Sequence, residues 1–207
     1  MVNKELENYK QYISNEGNLI VLSGPSGVGK GTVLKALLKK YDNICYSISA
    51  TTRAPREDEK DGVDYFFMDE DKFKAWIKED KFIEWAKVHN NYYGTPRSYV
   101  QETLASGKDV ILEIDIQGAK QVKEKCEDGI FIFLAPPSLE ELENRIYNRG
   151  TEGEDDIQVR LKNAKKELKE IANYDYLVVN DIVKEAVERL KSVIIANRCK
   201  INIINNK

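Results

Sequence analysis

The sequence predicts an α/β fold, a parallel β-sheet covered by helices. Five short apolar runs, Asn18–Ser23, Ile44–Ser49, Val110–Asp115, Ile130–Leu134 and Tyr176–Val179, are each of strand length. Helical patterns separate most of them, and that alternation winds a chain into a parallel sheet. The first run ends in a glycine-rich turn, and a helix-like stretch, Lys30 to Tyr41, follows directly.

That turn is the strongest signal in the chain. Its residues are Gly24, Pro25, Ser26, Gly27, Val28, Gly29, Lys30, Gly31 and Thr32. Glycines let successive backbone N–H groups turn inward around phosphate oxygens, and the following helix points its positive end there. Lys30 is placed to bridge β- and γ-phosphates of a nucleoside triphosphate. The motif asks for Ser or Thr directly after the lysine, where this chain has Gly31. A magnesium ion is therefore expected to be held more by phosphate and water than by a loop side chain.

Two stretches break the alternation. Residues 50–95 carry Arg, Pro, Gly and many aromatics, with short strands expected near Tyr65–Met68 and Phe82–Val88. They read as a module inserted into the core, with Phe73, Trp76, Phe82 and Trp85 as its apolar centre. Asn148–Asp156 is polar and glycine-bearing between two helices, the composition of a mobile flap.

The remaining helices carry their own marks. Thr95-Pro96 reads as the start of a helix over Arg97–Ser106, with threonine as cap. Asp115 is placed to cap a helix over Gln117–Lys125, and Glu113 shares its strand face. Ser138 and Glu141 form a capping box, after which Leu139, Leu142 and Ile146 share one face and Arg145 and Arg149 another. Ile157, Leu161, Ala164, Leu168 and Ile171 make an apolar stripe. The Ile201–Lys207 tail is expected to fray.

Composition bounds the function. The chain has 207 residues with 32 basic and 35 acidic side chains, a net charge of −3, which argues against a broad basic face for nucleic acid. No apolar signal core opens the sequence and no run is long enough to span a membrane. Cys45, Cys126 and Cys199 have no metal-ligand spacing and read as free thiols of a reducing compartment, so a cytoplasmic protein is expected. His89, the one histidine, reads as a loop residue.

In the module, Arg53 and Arg56 stand three apart beside a proline-stiffened turn, an arrangement suited to clamping a phosphate through bidentate hydrogen bonds. Tyr65 and Tyr92-Tyr93 offer phenolic groups, and Glu84 is a carboxylate among large apolar residues.

These segments together resemble the guanylate kinases. The shared elements are GPSGVGKGT, SISATTRAPR, Gly62 through Tyr65, FIEWA, NYYGT, EIDIQG and the APPS…R…RG…R region, over residues 18–182 in the family's order. The resemblance implies a P-loop nucleoside monophosphate kinase fold: a five-stranded parallel sheet with helices on both faces, an inserted GMP-binding module and a mobile lid. The implied division is 1–49, 96–147 and 157–207 as core, 50–95 as module and 148–156 as lid. It implies ATP-dependent phosphorylation of GMP, and of dGMP, by in-line transfer with Mg²⁺. Arg53, Arg56, Tyr65 and Tyr93 would bind the GMP phosphate, and Ser49, Glu84, Thr95 and Asp115 would surround guanine. Arg145, Arg149 and Arg160 would be lid arginines acting with Lys30 and Arg53 in catalysis, and Asn180 would lie near adenine.

The chemistry of guanine fits this independently. Its N1–H and 2-amino group are donors that one carboxylate accepts together, whereas adenine presents a lone pair at N1. Sites that hydrogen-bond a ligand this way discriminate strongly. The acceptor phosphate is already ionised, so catalysis rests on positioning and charge stabilisation without a general base. Two alternatives remain at this point, a non-catalytic interaction module of the same family and a kinase for another monophosphate.

Overall fold

A computed structural model describes residues 14–88, 90–126, 128–148 and 154–201, with the side chains of 154–156 excepted. Arg149, His89, residues 202–207 of the tail and residues 149–153 of the expected lid lie outside the described residues. The chain runs β1 (Leu19–Ser23), α1 (Lys30–Lys40), β2 (Ile44–Tyr46), β3 (Ala50–Thr51), β4 (Phe66–Phe67), α2 (Glu70–Lys78), β5 (Phe82–Val88), β6 (Asn91–Pro96), α3 (Arg97–Ala105), β7 (Asp109–Glu113), α4 (Ile116–Lys125), β8 (Ile130–Ala135), α5 (Leu139–Tyr147), α6 (Glu154–Glu167), a 3-10 turn over Leu168–Asn173, β9 (Tyr176–Val179) and α7 (Val183–Arg198).

Five strands form one parallel sheet in the order β2-β7-β1-β8-β9. Helices cover both faces, so the central strands are continuous apolar runs, and every residue of β1 and β8 is buried. Ile20 and Leu22 of β1 join Leu34 and Leu37 of α1 and Ala186, Leu190 and Ile194 of α7. Leu19 and Val21 point the other way, onto Val100 of α3 and Ala119 and Val122 of α4. The two-residue period of one strand thus sorts the helices between two faces. Strands β2 and β7 lie on one side of β1 and β8 and β9 on the other. Ligands of such sheets bind beyond the carboxyl ends at that reversal, where the glycine-rich loop leaves β1.

A second sheet, ordered β4-β3-β6-β5, is antiparallel except between β3 and β4. It has its own apolar centre, in which Phe73 and Phe82 pack with Trp76 and Trp85, as expected.

Several boundaries differ from the sequence reading. The strand expected to Ser49 ends at Tyr46, although the Ser47 N–H still reaches the Ile111 carbonyl at 3.0 Å. Strand β7 ends at Glu113 and Asp115 is already the cap of α4. Thr95 is not a helix cap. Pairing with β5 continues through Thr95 and Pro96, so Pro96 takes the cap position and the Thr95 hydroxyl points elsewhere. Leu139 departs from its expected face and is 45% exposed, whereas Leu142 and Ile146 are buried. Helix α2, capped by Asp69 accepting from the Lys72 N–H at 2.7 Å, and strand β6 were not anticipated.

Candidate functional site

The glycine-rich loop folds as its sequence requires. Gly24, Gly27 and Gly29 have φ of 154°, 89° and 95°, values that side chains with a Cβ rarely adopt. At Gly29 a Cβ would also stand 2.7 Å from Nδ2 of Asn180. Asn180 is buried after β9 and donates from that Nδ2 to the Val28 carbonyl at 2.8 Å, splinting the loop from below. Helices α4 and α5 have side-chain caps, Asp115 on the Gly118 N–H and Ser138 on the Glu141 N–H. Helix α1 has none, and its first N–H groups face the loop.

Lys30 lies against the loop, its Nζ 2.6 Å from the Gly24 carbonyl and 3.3 Å from that of Pro25. Arg145 donates from Nη1 to the carbonyls of Asn180 at 3.0 Å and Val28 at 3.3 Å, and from Nε to Glu141. The Glu141 half of the expected capping box is thus turned toward Arg145. Arg160 donates from Nη2 to the Ser26 hydroxyl at 2.6 Å. Two of the three expected lid arginines therefore touch the loop.

Glu113 ends β7 beside Gly31, where a Cβ would stand 3.9 and 4.0 Å from its carboxylate oxygens. Burial raises the Glu113 carboxyl above its ordinary range, with the Lys30 charge opposing. Glu167, at the end of α6, was missed by sequence reasoning. Burial raises its carboxyl while Lys30 and the Ser26 N–H pull it back. Among the described residues no group of three His, Cys, Asp or Glu could hold a metal ion.

A cleft opens between the two sheets, lined by Ser49, Tyr65, Glu84, Tyr93, Glu113 and Asp115 among others. Tyr46 and Asp64 also line it and carried no sequence signal. Glu84 reaches the cleft through a bulge: Phe82 pairs with Pro96, but Glu84 pairs with Thr95, so Ile83 is an extra residue on β5. Phe82 enters the second sheet's centre, Ile83 packs beneath the main sheet, and Glu84 faces the cleft. Thr95, buried behind it, donates to Glu84 Oε1 at 2.7 Å. Burial is the main cause that lifts the Glu84 carboxyl to about 7, with the Thr95 hydrogen bond opposing and the Asp115 charge adding.

Arg53 packs on the cleft-lining Tyr65, its guanidinium carbon 5.4 Å from that ring centroid. Its Nη2 donates to both oxygens of Glu59 at 2.7 and 2.8 Å, and Glu59 also accepts from the Arg56 N–H at 2.8 Å. The Arg56 side chain is exposed. Glu59, six residues after Arg53, organises both arginines, a role hidden in a run of acidic residues.

A family model described as guanylate kinase matches residues 16–197. A guanylate kinase of Caldanaerobacter subterraneus subsp. tengcongensis is 55% identical over 190 residues, 92% of this chain and 92% of the relative. One of Clostridium tetani is 56% identical over 191 residues, covering 92% of this chain and 91% of the relative. The crystal structure of guanylate kinase from Anaplasma phagocytophilum superposes with a TM-score of 0.71 at 35% identity, over 91% of this chain and 89% of that one.

Proposed function

The chain belongs to the guanylate kinase family, and from that premise we propose which of its residues carry the transfer of a phosphoryl group from ATP to GMP. The observation that carries the reading is a phosphate loop and a carboxylate-bearing cleft meeting at one end of the sheet, at Glu113 and Asp115.

The loop residues Gly24–Thr32 take the ATP phosphates, with backbone N–H groups and the α1 terminus as donors and Lys30 as the mobile charge. Asn180 acts from beneath by fixing Val28 and Gly29. Arg145 and Arg160, already on the loop, are placed to meet developing charge on the transferring group, and Arg149 is proposed to join them. Arg53, Arg56, Tyr65 and Tyr93 take the acceptor phosphate. Ser49, Glu84 and Asp115 face guanine, and Thr95 acts through Glu84. These contacts address base and phosphate, so dGMP is proposed as an acceptor beside GMP.

Residues 50–95 are proposed as the acceptor module, 148–156 as the lid and the remainder as core. Mg²⁺ fits this site as a companion of ATP: directly after Lys30 the loop has no hydroxyl, that of Thr32 being the next along the chain, and a Cβ at Gly31 would stand in ordinary contact with the Glu113 carboxylate. When bound, the ion would neutralise phosphate charge; ATP oxygens and water would hold it, and Glu113, beside Gly31, could meet that water.

The acceptor phosphate is its own nucleophile, so the protein supplies alignment, charge and exclusion of water. ADP release from ATP with GMP, dGMP, AMP, CMP or UMP tests the reading. Turnover should be confined to the guanine nucleotides, and equal turnover on AMP would sink the assignment of Glu84. Lys30→Ala should nearly abolish turnover with the fold intact, and an active variant would displace Lys30 from the reaction.

A further inference from the structure

The proposed guanine carboxylate stands on a strand whose outer edge is closed in an unusual way. Strand β5 is last in its sheet, and an edge strand presents unpaired N–H and C=O groups. Here a helix of the other sheet supplies the partners. Gln121 of α4 accepts from the Trp85 N–H through Oε1 at 3.1 Å and donates from Nε2 to the Trp85 carbonyl at 2.9 Å. One side-chain amide thus does what a neighbouring strand residue would do.

The same helix face continues in both directions. A turn later, Lys125 donates to the Phe82 carbonyl at 3.2 Å and to Asp80 at 3.1 Å. A turn earlier, Gly118 leaves room for Glu84, whose Oε2 would lie 2.9 Å from a Cβ there. Asp115, the cap of this helix, lines the same cleft as Glu84. These positions recur every three or four residues and form one face. The bulge at Ile83 separates the Phe82 anchor from Glu84, so the Gln121 contact is the one on Glu84's side of that irregularity.

We propose that Gln121 is a specificity-positioning residue: by holding the Trp85 backbone at both polar atoms, it sets the adjacent Glu84 carboxylate relative to Asp115 and thereby sets the preference for guanine. The inference rests on the reading of Glu84 as the guanine carboxylate. Glu84 must meet N1–H and the 2-amino group together, a geometry that a small displacement of the strand destroys. Inosine monophosphate (IMP) keeps N1–H and O6 but lacks the 2-amino group, so it reports on that alignment.

The test is steady-state kinetics at saturating ATP with GMP and IMP as acceptors, alongside thermal melts. Gln121→Met keeps the length of the side chain and loses both hydrogen bonds. Its preference for GMP over IMP in kcat/KM should fall about tenfold through a raised GMP KM, since misplacements near 1 Å reach ~100-fold effects. Its KM for ATP should stay unchanged. Gln121→Glu still accepts from the Trp85 N–H but sets a carboxylate against the Trp85 carbonyl. It should show the same loss, and it decides the matter if the Met variant does not fold. Equal losses on GMP and IMP, or an unchanged preference in a folded variant, overturn the proposal and leave Gln121 a packing residue. Glu84→Gln separates the two readings. An unchanged preference there refutes the guanine role of Glu84, whereas a lost preference there beside full preference in the Gln121 variants refutes only the role of Gln121.

Discussion

The Thr95 hydroxyl holds Glu84 from behind, donating to Oε1 at 2.7 Å with both residues buried. A hydrogen bond to a charged group is worth about 1.5–3 kcal/mol, so its loss should weaken recognition by roughly 10- to 100-fold. Thr95→Val preserves shape and removes the donor. We expect its GMP KM to rise within that range while the ATP KM is unchanged, and Thr95→Ser to recover most of the loss. A Val variant with wild-type GMP KM removes Thr95 from recognition.

Glu84 itself should be a stability liability. Its carboxyl sits at about 7 in the fold against an ordinary 4.5, so folding takes up a proton between those values. Stability therefore falls as pH rises through that window, and the loss is complete above the folded value. Glu84→Gln removes the loss. The ligand-free variant should gain on the order of 3 kcal/mol in unfolding free energy at pH 8, shrinking below about 1 kcal/mol at pH 5. Denaturant titrations at the two pH values check this, and a variant no more stable than wild type at pH 8 contradicts it.

Arg53 is oriented by Glu59 through both carboxylate oxygens. Arg53→Lys keeps the charge and loses the planar fork, so kcat/KM for GMP should drop about 100-fold. Glu59→Ala loosens the arginine without removing it, and the GMP KM should rise only about threefold with kcat preserved. The ranking of the two variants is the check. A larger loss in the Glu59 variant would make the carboxylate, rather than the guanidinium, the essential partner.

Gly31 does not have a positive φ, and a Cβ there would meet the Glu113 carboxylate at an ordinary contact distance of 3.9 Å, so a small side chain is tolerated. Gly31→Ala should raise stability by about 0.5 kcal/mol, because glycine is a poor residue in a helix. Gly31→Ser restores the hydroxyl the loop motif asks for, and half-saturation by Mg²⁺ should move to lower concentration. Melting curves and magnesium titrations of activity read out the two effects. A Ser variant with an unchanged magnesium requirement would leave the hydroxyl without a role at this position.

What the sequence makes legible is local. The loop from Gly24 to Thr32 is contiguous, its glycines demand one backbone path, and the strand and helix beside it announce themselves by period. Asp115 and Ser138 cap helices because a cap is decided within three residues. Thr95 was misread for the same reason, since Thr-Pro before a helix is a local cap signal overridden by pairing with a strand eleven residues away. Gln121 could not be found at all. Its partner lies 36 residues back, and a glutamine inside a charged amphipathic helix looks like any solvated side chain. Strand β6 carries glycine and proline that disguise it, and its paired tyrosines look like ligand contacts rather than strand residues.

The single extra residue in β5 limits which segments of this chain can be exchanged. Phe82, Ile83 and Glu84 send consecutive side chains to three separate destinations, two apolar centres and a cleft. A chimera that swaps residues 50–95 for the corresponding segment of another kinase would remove Ile83 from the host interior and deprive Gln121 and Lys125 of the backbone they grip. Such a graft would need to carry its matching helix along, because β5 and α4 are joined by side chain to backbone bonds and behave as one unit rather than as an exchangeable cassette.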